Sequence, residues 1–233
     1  TKKENNLNIV FADKLPSKPE GTFNAKVDDR CRKLITKNHS ATHLMHAALR
    51  EVLGTHVAQK GSLVNDEYTR FDFSHFAKVT DEELQKIEQR VNEKIRENIA
   101  LDEQRNVPIK DAMSKGAMAL FGEKYGDFVR VITFDRNYSV ELCGGTHVKA
   151  TGEIGLFKIV SEGAVAAGVR RVEAITADGA EAWLSGELNQ LDQVRELLKN
   201  PKDLVKGVES LLEENKALAD RLNKLELEKA KML

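Results

Sequence analysis

The sequence is short of several things, and each shortage excludes something. Its 233 residues hold only two cysteines, Cys31 and Cys143, far apart, so there is no disulfide framework to explain either one. No signal segment and no apolar run of about 18 residues appears, which withdraws support from secretion and from membrane spanning and leaves a cytoplasmic reading as the default. Aromatic residues amount to 6% against 31% charged residues, a balance that favours solvent-laced helices over an all-β sandwich. Neither sign of charge is in excess: 36 Lys and Arg face 37 Asp and Glu, giving a net charge of -1, so any contact with RNA must be local. What is present is a 41% hydrophobic content, enough to build a core and to exclude a wholly disordered chain. A start at Thr1 and an end at Leu233 inside a heptad pattern lead us to expect a piece of a longer protein.

Hydrophobic patterning indicates an α+β body with an antiparallel sheet and two main helices, followed by a long helical stalk. In the first 30 residues, Leu7 to Phe11 and Thr22 to Val27 read as two strands around Pro16, Pro19 and Gly21. Ala41, Leu44, Met45, Ala48, Leu49 and Val52 form a helical stripe closed by Gly54, with Asn38 or Ser40 as its cap; Cys31 then precedes the helix as a small buried hydrophobe. A hairpin is expected around Asn65-Asp66, pairing 62–64 with 68–73. Thr80 to Glu83 is a capping box opening a helix carried by Leu84, Ile87, Val91, Ile95 and Ile99. A short helical stretch from Pro108 to Ala119 comes next, followed by strands over 128–134, 138–142, 154–160 and 169–176. Beyond residue 180, helical spacing runs to Pro201. Leu204, Val208, Leu211, Asn215, Leu218, Leu222, Leu225, Lys229 and Met232 then form a heptad seam with Asn215 at an a-type position, and such a seam calls for a partner helix. The expected division is 1–30, 31–180 and 181–233.

The chemistry lies in two short pairs. His39 and His43 stand four apart on one helix face, and Cys143 and His147 flank Gly144, Gly145 and Thr146 at the end of a strand, where glycine permits a sharp turn. Two imidazoles, a thiolate and a third imidazole form a donor set suited to tetrahedral zinc. His46, on the same helix face, reads as a polar surface residue or as one supporting the ligands from behind. A metalloprotease is excluded, since the position after the first histidine is Ser40 and not the glutamate that such a helix needs. Four protein ligands also permit a purely structural zinc knuckle.

His39-Ser40-Ala41-Thr42-His43, the 54–62 loop, Cys143-Gly144-Gly145-Thr146-His147 and Gly168-Val169-Arg170-Arg171-Val172-Glu173-Ala174 resemble the editing domain of alanyl-tRNA synthetase, from about residue 30 to about residue 185. The stalk is similar to the start of that enzyme's C-terminal domain, and it argues against the more loosely similar free-standing alanyl-tRNA deacylases and the threonyl-tRNA synthetase editing domain. Residues 1–30 would then be the end of a preceding β-barrel. The resemblance implies hydrolysis of the ester joining serine or glycine to the terminal adenosine of tRNA(Ala), a second sieve for amino acids that an alanine pocket discriminates poorly. It also implies zinc on His39, His43, Cys143 and His147, and an amino-acid pocket lined by Thr42 and Gln59, so Thr42, Gln59 and Cys143 stand as the catalytic candidates.

Two roles for zinc stay open: activating water or polarising the ester carbonyl, and anchoring the substrate while an ordered water attacks. The amides of Gly144, Gly145 and Thr146 are candidate oxyanion donors, although the glycines can equally serve the turn alone. Candidate phosphate contacts near the acceptor end are Lys60, Arg70, Lys158, Arg170 and Arg171. The competing reading is a metal-stapled tRNA-binding or dimerisation module without activity, and the stalk makes a homodimer an expected partner.

Overall fold

The structure, a computed structural model, describes residues 2–4, 7–119 and 125–231; Met232, the last seam position, lies outside these. Its antiparallel sheets and helices give the α+β class expected from the patterning. Near the N-terminus β1 (Lys2–Glu4) and β2 (Leu7–Ile9) form a two-stranded ribbon. The strand expected over 22–27 is not formed. A strand persists only where a neighbour completes its backbone hydrogen bonds, and this stretch pairs with none while Phe23 and Val27 stay exposed.

Helix α1 (Asp29–Leu53) begins some ten residues before the expected caps. Asp28 caps it by accepting from the Cys31 amide at 2.9 Å. The first two turns lack the apolar stripe because they are largely exposed, so local capping alone marks this end, and Cys31 lies within the helix. Its thiol donates to Asp66 at 3.2 Å, a polar partner in place of the apolar burial expected. From residue 38 the stripe is buried as read: Ala41, Leu44, Met45, Ala48 and Leu49 pack with Phe71 and Phe73. Removing side chains of Leu, Phe or Met size from water supplies roughly 1.5–3 kcal/mol each.

The sheet under α1 has the order β3-β4-β9-β8, from β3 (Gln59–Val64), β4 (Thr69–Ser74), β8 (Phe157–Ala166) and β9 (Val169–Thr176), all antiparallel neighbours. Period-two alternation aims Phe71 and Phe73 into the core and Arg70 and Asp72 away from it. Helix α2 (Asp81–Arg96) has the anticipated capping box: the Thr80 hydroxyl accepts from the Glu83 amide at 3.2 Å, and the Thr80 amide donates to the Glu83 carboxylate at 2.8 Å. Ile87, Val91 and Ile95 complete the core against α1.

A second sheet, β5-β6-β7, holds β5 (Asp102–Pro108), β6 (Phe128–Phe134) and β7 (Ser139–Leu142). No strand was expected at β5, because Asp102 to Asn106 are all polar and a bulge between Gln104 and Val107 breaks the alternation. Helix α3 (Ile109–Ser114) is shorter than the stretch expected to reach Ala119; β8 starts later than expected because a 3-10 turn occupies Thr151–Ile154, and its pairing with β9 carries it on to Ala166. Helix α4 (Ala177–Leu197) packs on β8 and β9, and α5 (Leu204–Lys231) carries the seam with none of its described residues buried. No helix among the described residues is long and apolar enough to cross a membrane.

Candidate functional site

Helix α1 presents His39 and His43 to the turn that follows β7, and that turn brings Cys143 and His147 to them. One ligand atom from each of the four residues lies within 4.8 Å of all the others. The Cys143 sulfur is 3.5 Å from His39 Nε2, close to the edge of about 3.5 Å that Zn–S and Zn–N bond lengths give a tetrahedron. Ring centroids of His39 and His147 are 4.4 Å apart, and those of His43 and His147 are 4.8 Å apart. Gly145 is needed for this approach: a Cβ there would sit 2.1 Å from the His39 ring.

A layer of partners behind the candidate ligands fixes their orientation. Glu141 accepts from His43 Nδ1 at 2.5 Å and from His46 Nδ1 at 2.9 Å, with all three residues buried. Ser40 holds His147 Nδ1 at 3.4 Å, donates to the Thr36 carbonyl and accepts from the Val148 amide. With their Nδ1 atoms occupied, Nε2 of His43, His46 and His147 are buried without a hydrogen-bond partner, and of these three His43 and His147 belong to the four-residue cluster. Histidine ligands show this pattern, in which one ring nitrogen is held by a supporting group and the other is left for a metal. His46, buried and held by Glu141 but outside the four-residue cluster, is a supporting residue and not a surface one.

Charge points the same way. Burial penalises the Cys143 thiolate, but the imidazoles of His147, His39 and His43 close around it outweigh this and lower the thiol pKa to about 3. Burial likewise opposes the Glu141 carboxylate, and the charge of His43 with hydrogen bonds from both histidines holds it well below the usual carboxylate range. His43 is pushed toward neutrality by burial, yet the charge of Glu141 raises its pKa. His147, dominated by burial, falls to about 4. The Glu141 carboxylate and the half-buried Cys143 thiolate thus favour a positive charge in the pocket, and a divalent cation on the thiolate would supply it in place of a proton on His43, leaving that ring neutral with Nε2 free to ligate. The donor set fits zinc.

Arg130 secures the turn from the side, donating to the Cys143 carbonyl at 3.0 Å and the Gly145 carbonyl at 2.5 Å while Glu103 accepts from its Nε at 2.9 Å. Sequence reasoning missed Glu141, Ser40, Arg130 and Glu103. One available signal was a carboxylate at Glu141 in β7, two residues before Cys143, which follows the strand's end.

Thr42 is buried; its hydroxyl donates to the Asn38 carbonyl at 2.8 Å and lies 2.6 Å from the Thr69 hydroxyl. Gln59, at the start of β3, donates to Ser62 Oγ at 3.2 Å. The basic candidates are mostly engaged: Arg170 pairs with Glu162 and Arg171 with Asp72, each through two hydrogen bonds. Lys158 meets Glu88 at 3.0 Å and lies over the Trp183 ring. Arg70 is 4.0 Å from Asp72, with its Nε buried and without a hydrogen bond, and Lys60 is exposed.

Comparison with known proteins adds to the geometry. Residues 129–173 match the family described as the Threonyl and Alanyl tRNA synthetase second additional domain. The protein named Alanine--tRNA ligase from Cytophaga hutchinsonii is 59% identical over 233 residues, which is 100% of this chain and 27% of the relative. Its namesake from Flavobacterium psychrophilum is 56% identical over 229 residues, 98% of this chain and 26% of the relative, and that from Christiangramia forsetii is 52% identical over 233 residues, 100% and 26%. The chain spans about a quarter of the length of these curated relatives.

Proposed function

Since the chain belongs to the alanine--tRNA ligase family over the segment it spans, we propose that it is the editing segment, hydrolysing the ester of serine or glycine wrongly attached to tRNA(Ala). The observation that carries this reading is the convergence of His39, His43, Cys143 and His147 behind a glycine turn, with their supporting atoms already in place. In the reaction, water adds to the ester carbonyl, the bond to the ribose oxygen breaks, and a proton returns to that oxygen. The products are the free amino acid and tRNA with its terminal hydroxyl restored.

His39, His43, Cys143 and His147 would hold zinc, which supplies Lewis acidity and a fixed positive charge when bound. Glu141 and Ser40 keep His43 and His147 in the tautomer that offers Nε2. Arg130 holds the Cys143 and Gly145 carbonyls, so the turn is positioned before a substrate arrives. Space is open around Gly144, where a Cβ would meet nothing within 4 Å, and its amide is the oxyanion donor in this reading. Thr42 and Gln59 line the amino-acid side of the pocket, and the acceptor end of tRNA(Ala) reaches it past Lys60 and Arg70. Arg170, Arg171 and Lys158, each paired with a carboxylate, are the further phosphate contacts in this reading.

The division that goes with this reading is 1–30 as the end of a preceding β-barrel, 31–180 as the hydrolase and 181–233 as the stalk that opens a C-terminal domain and pairs with a second chain. The activity is placed in the cytoplasm, where tRNA is charged. Seryl-tRNA(Ala) and alanyl-tRNA(Ala) offered to the 233-residue chain with and without a chelator test the proposal. Preferential loss of serine, stopped by the chelator, supports it. One observation favours the alternative of a metal-stapled binding module, namely that four protein donors can close the coordination shell. Tight RNA binding with the seryl ester left intact would establish that alternative.

A further inference from the structure

A cleft of about 430 Å³ borders the turn that follows Cys143, lined by Arg105, Asn106, Phe128, Arg130, Gly144 and Thr146. Three features distinguish it from an accidental surface groove. The β5 bulge between Gln104 and Val107 falls at Arg105 and Asn106, and Asn106 takes a left-handed backbone with φ of 56°, so the strand is bent where it borders the cleft. Bulges of this kind re-aim side chains beside functional sites. Arg105 is thrown outward with 73% of its side chain exposed, its Nε held by Glu103. Phe128, at the start of β6, exposes 64% of its surface in a sequence with few aromatic residues.

We propose that this cleft seats the nucleotide preceding the esterified one, with its base on Phe128 and its phosphate on Arg105. The inference rests on the editing reading and extends it by a subsite. An aromatic face beside an exposed guanidinium is the combination that recognises single-stranded nucleic acid. A lone phosphate would leave Phe128 unused, and an extended apolar peptide would find a guanidinium and an amide where it needs a pocket. Glu103 is engaged by both Arg105 and Arg130, so the lining carries a net positive charge toward a bound phosphate. Position gives the order along the strand. Gly144 and Gly145 form one wall of the cleft, and the same glycines run between Cys143 and His147, so a nucleotide held here lies next to one whose ester enters the metal pocket.

The test uses the zinc-loaded chain and two hairpin RNAs with the tRNA(Ala) acceptor stem, one with its unpaired 3′ nucleotides and one cut flush. The parent should bind the overhanging form more tightly. Phe128→Ala and Arg105→Ala should each reduce that preference about tenfold, as expected for loss of one stacked base or one phosphate contact. Phe128→Trp should retain it. On seryl-tRNA(Ala) the same alanine variants should raise KM and leave kcat near the parental value, with zinc content unchanged. A double variant that keeps the parental preference and KM would overturn the subsite while leaving the editing reading intact. A parent that prefers the overhang but leaves the ester uncut would do the reverse, and a parent that binds neither RNA would overturn both.

Discussion

The Glu141 carboxylate lies 2.5 Å from Nδ1 of His43, both side chains buried, and this one contact links the charge of the site to its geometry. It makes His43 the donor at Nδ1 and leaves Nε2 turned to the other three ligand residues. Glu141→Gln keeps the shape and removes the charge. Loss of a supporting group of this type lowers metal affinity about 10- to 100-fold. Competition for zinc against a chromophoric chelator measures it, and parental affinity in the folded variant would show that Glu141 supports packing alone.

Cys143→Ala takes away the sulfur that neighbours His39 Nε2 at 3.5 Å, so zinc content per chain should fall well below that of the parent. Removal of serine from tRNA(Ala) should drop more steeply than RNA affinity, because phosphate contacts lie elsewhere. Elemental analysis alongside a filter-binding titration separates the two effects. Equal deacylation by parent and variant would remove Cys143 from the reaction.

The Glu103–Arg130 pair gives a pH dependence with a definite sign. Hydrogen bonds first from Arg130 and then from Arg105 lower the Glu103 pKa from 4.5 to about 2. A depressed carboxylate stabilises the fold above its unfolded pKa, and that contribution is lost as the pH falls through the window from 4.5 to about 2. Urea unfolding of the parent and Glu103→Gln should therefore differ by a constant amount above pH 5 and converge progressively as the pH falls from 4.5 to about 2. A difference that grows on acidification would contradict the assignment.

Thr42 is embedded more deeply than a pocket-lining hydroxyl needs to be. Its hydroxyl donates to the Asn38 carbonyl, so the fully buried Thr69 hydroxyl 2.6 Å away donates to it. Thr42→Val preserves volume and strands the Thr69 donor, at a cost of about 1–3 kcal/mol. Denaturant titration reads that loss directly. The same variant should discriminate less between seryl and alanyl esters in the deacylation assay, and unchanged discrimination would place Thr42 outside the pocket.

Along α5, Leu211, Leu218, Leu222 and Leu225 are each more than half exposed. A seam of this kind is stabilised by a partner helix, and a second chain provides one. Sedimentation should show concentration-dependent association that Leu218→Glu abolishes. A parent that remains monomeric across the concentration series would refute pairing through the stalk.

Local sequence determined much of this protein. The helical stripe from Ala41 to Val52, the Thr80–Glu83 capping box and the hairpin at Asn65 all follow from spacing and side-chain chemistry within one element, and each is formed. The placement of the two pairs of candidate ligands is equally local, since an i, i+4 step on a helix and a glycine turn are local geometry. What lies between elements was not legible. Strand β5 carries polar residues and a bulge, so only its pairing with β6 makes it a strand, and the extra turns of α1 rest on one capping aspartate. Residues 39–43 and 143–147 are separated by about a hundred residues, and their meeting depends on β7 packing beside α1. The supporting roles of Glu141, Ser40 and Arg130 exist only after that packing, because a hydrogen bond needs both partners within about 3 Å and sequence spacing sets no such distance across elements.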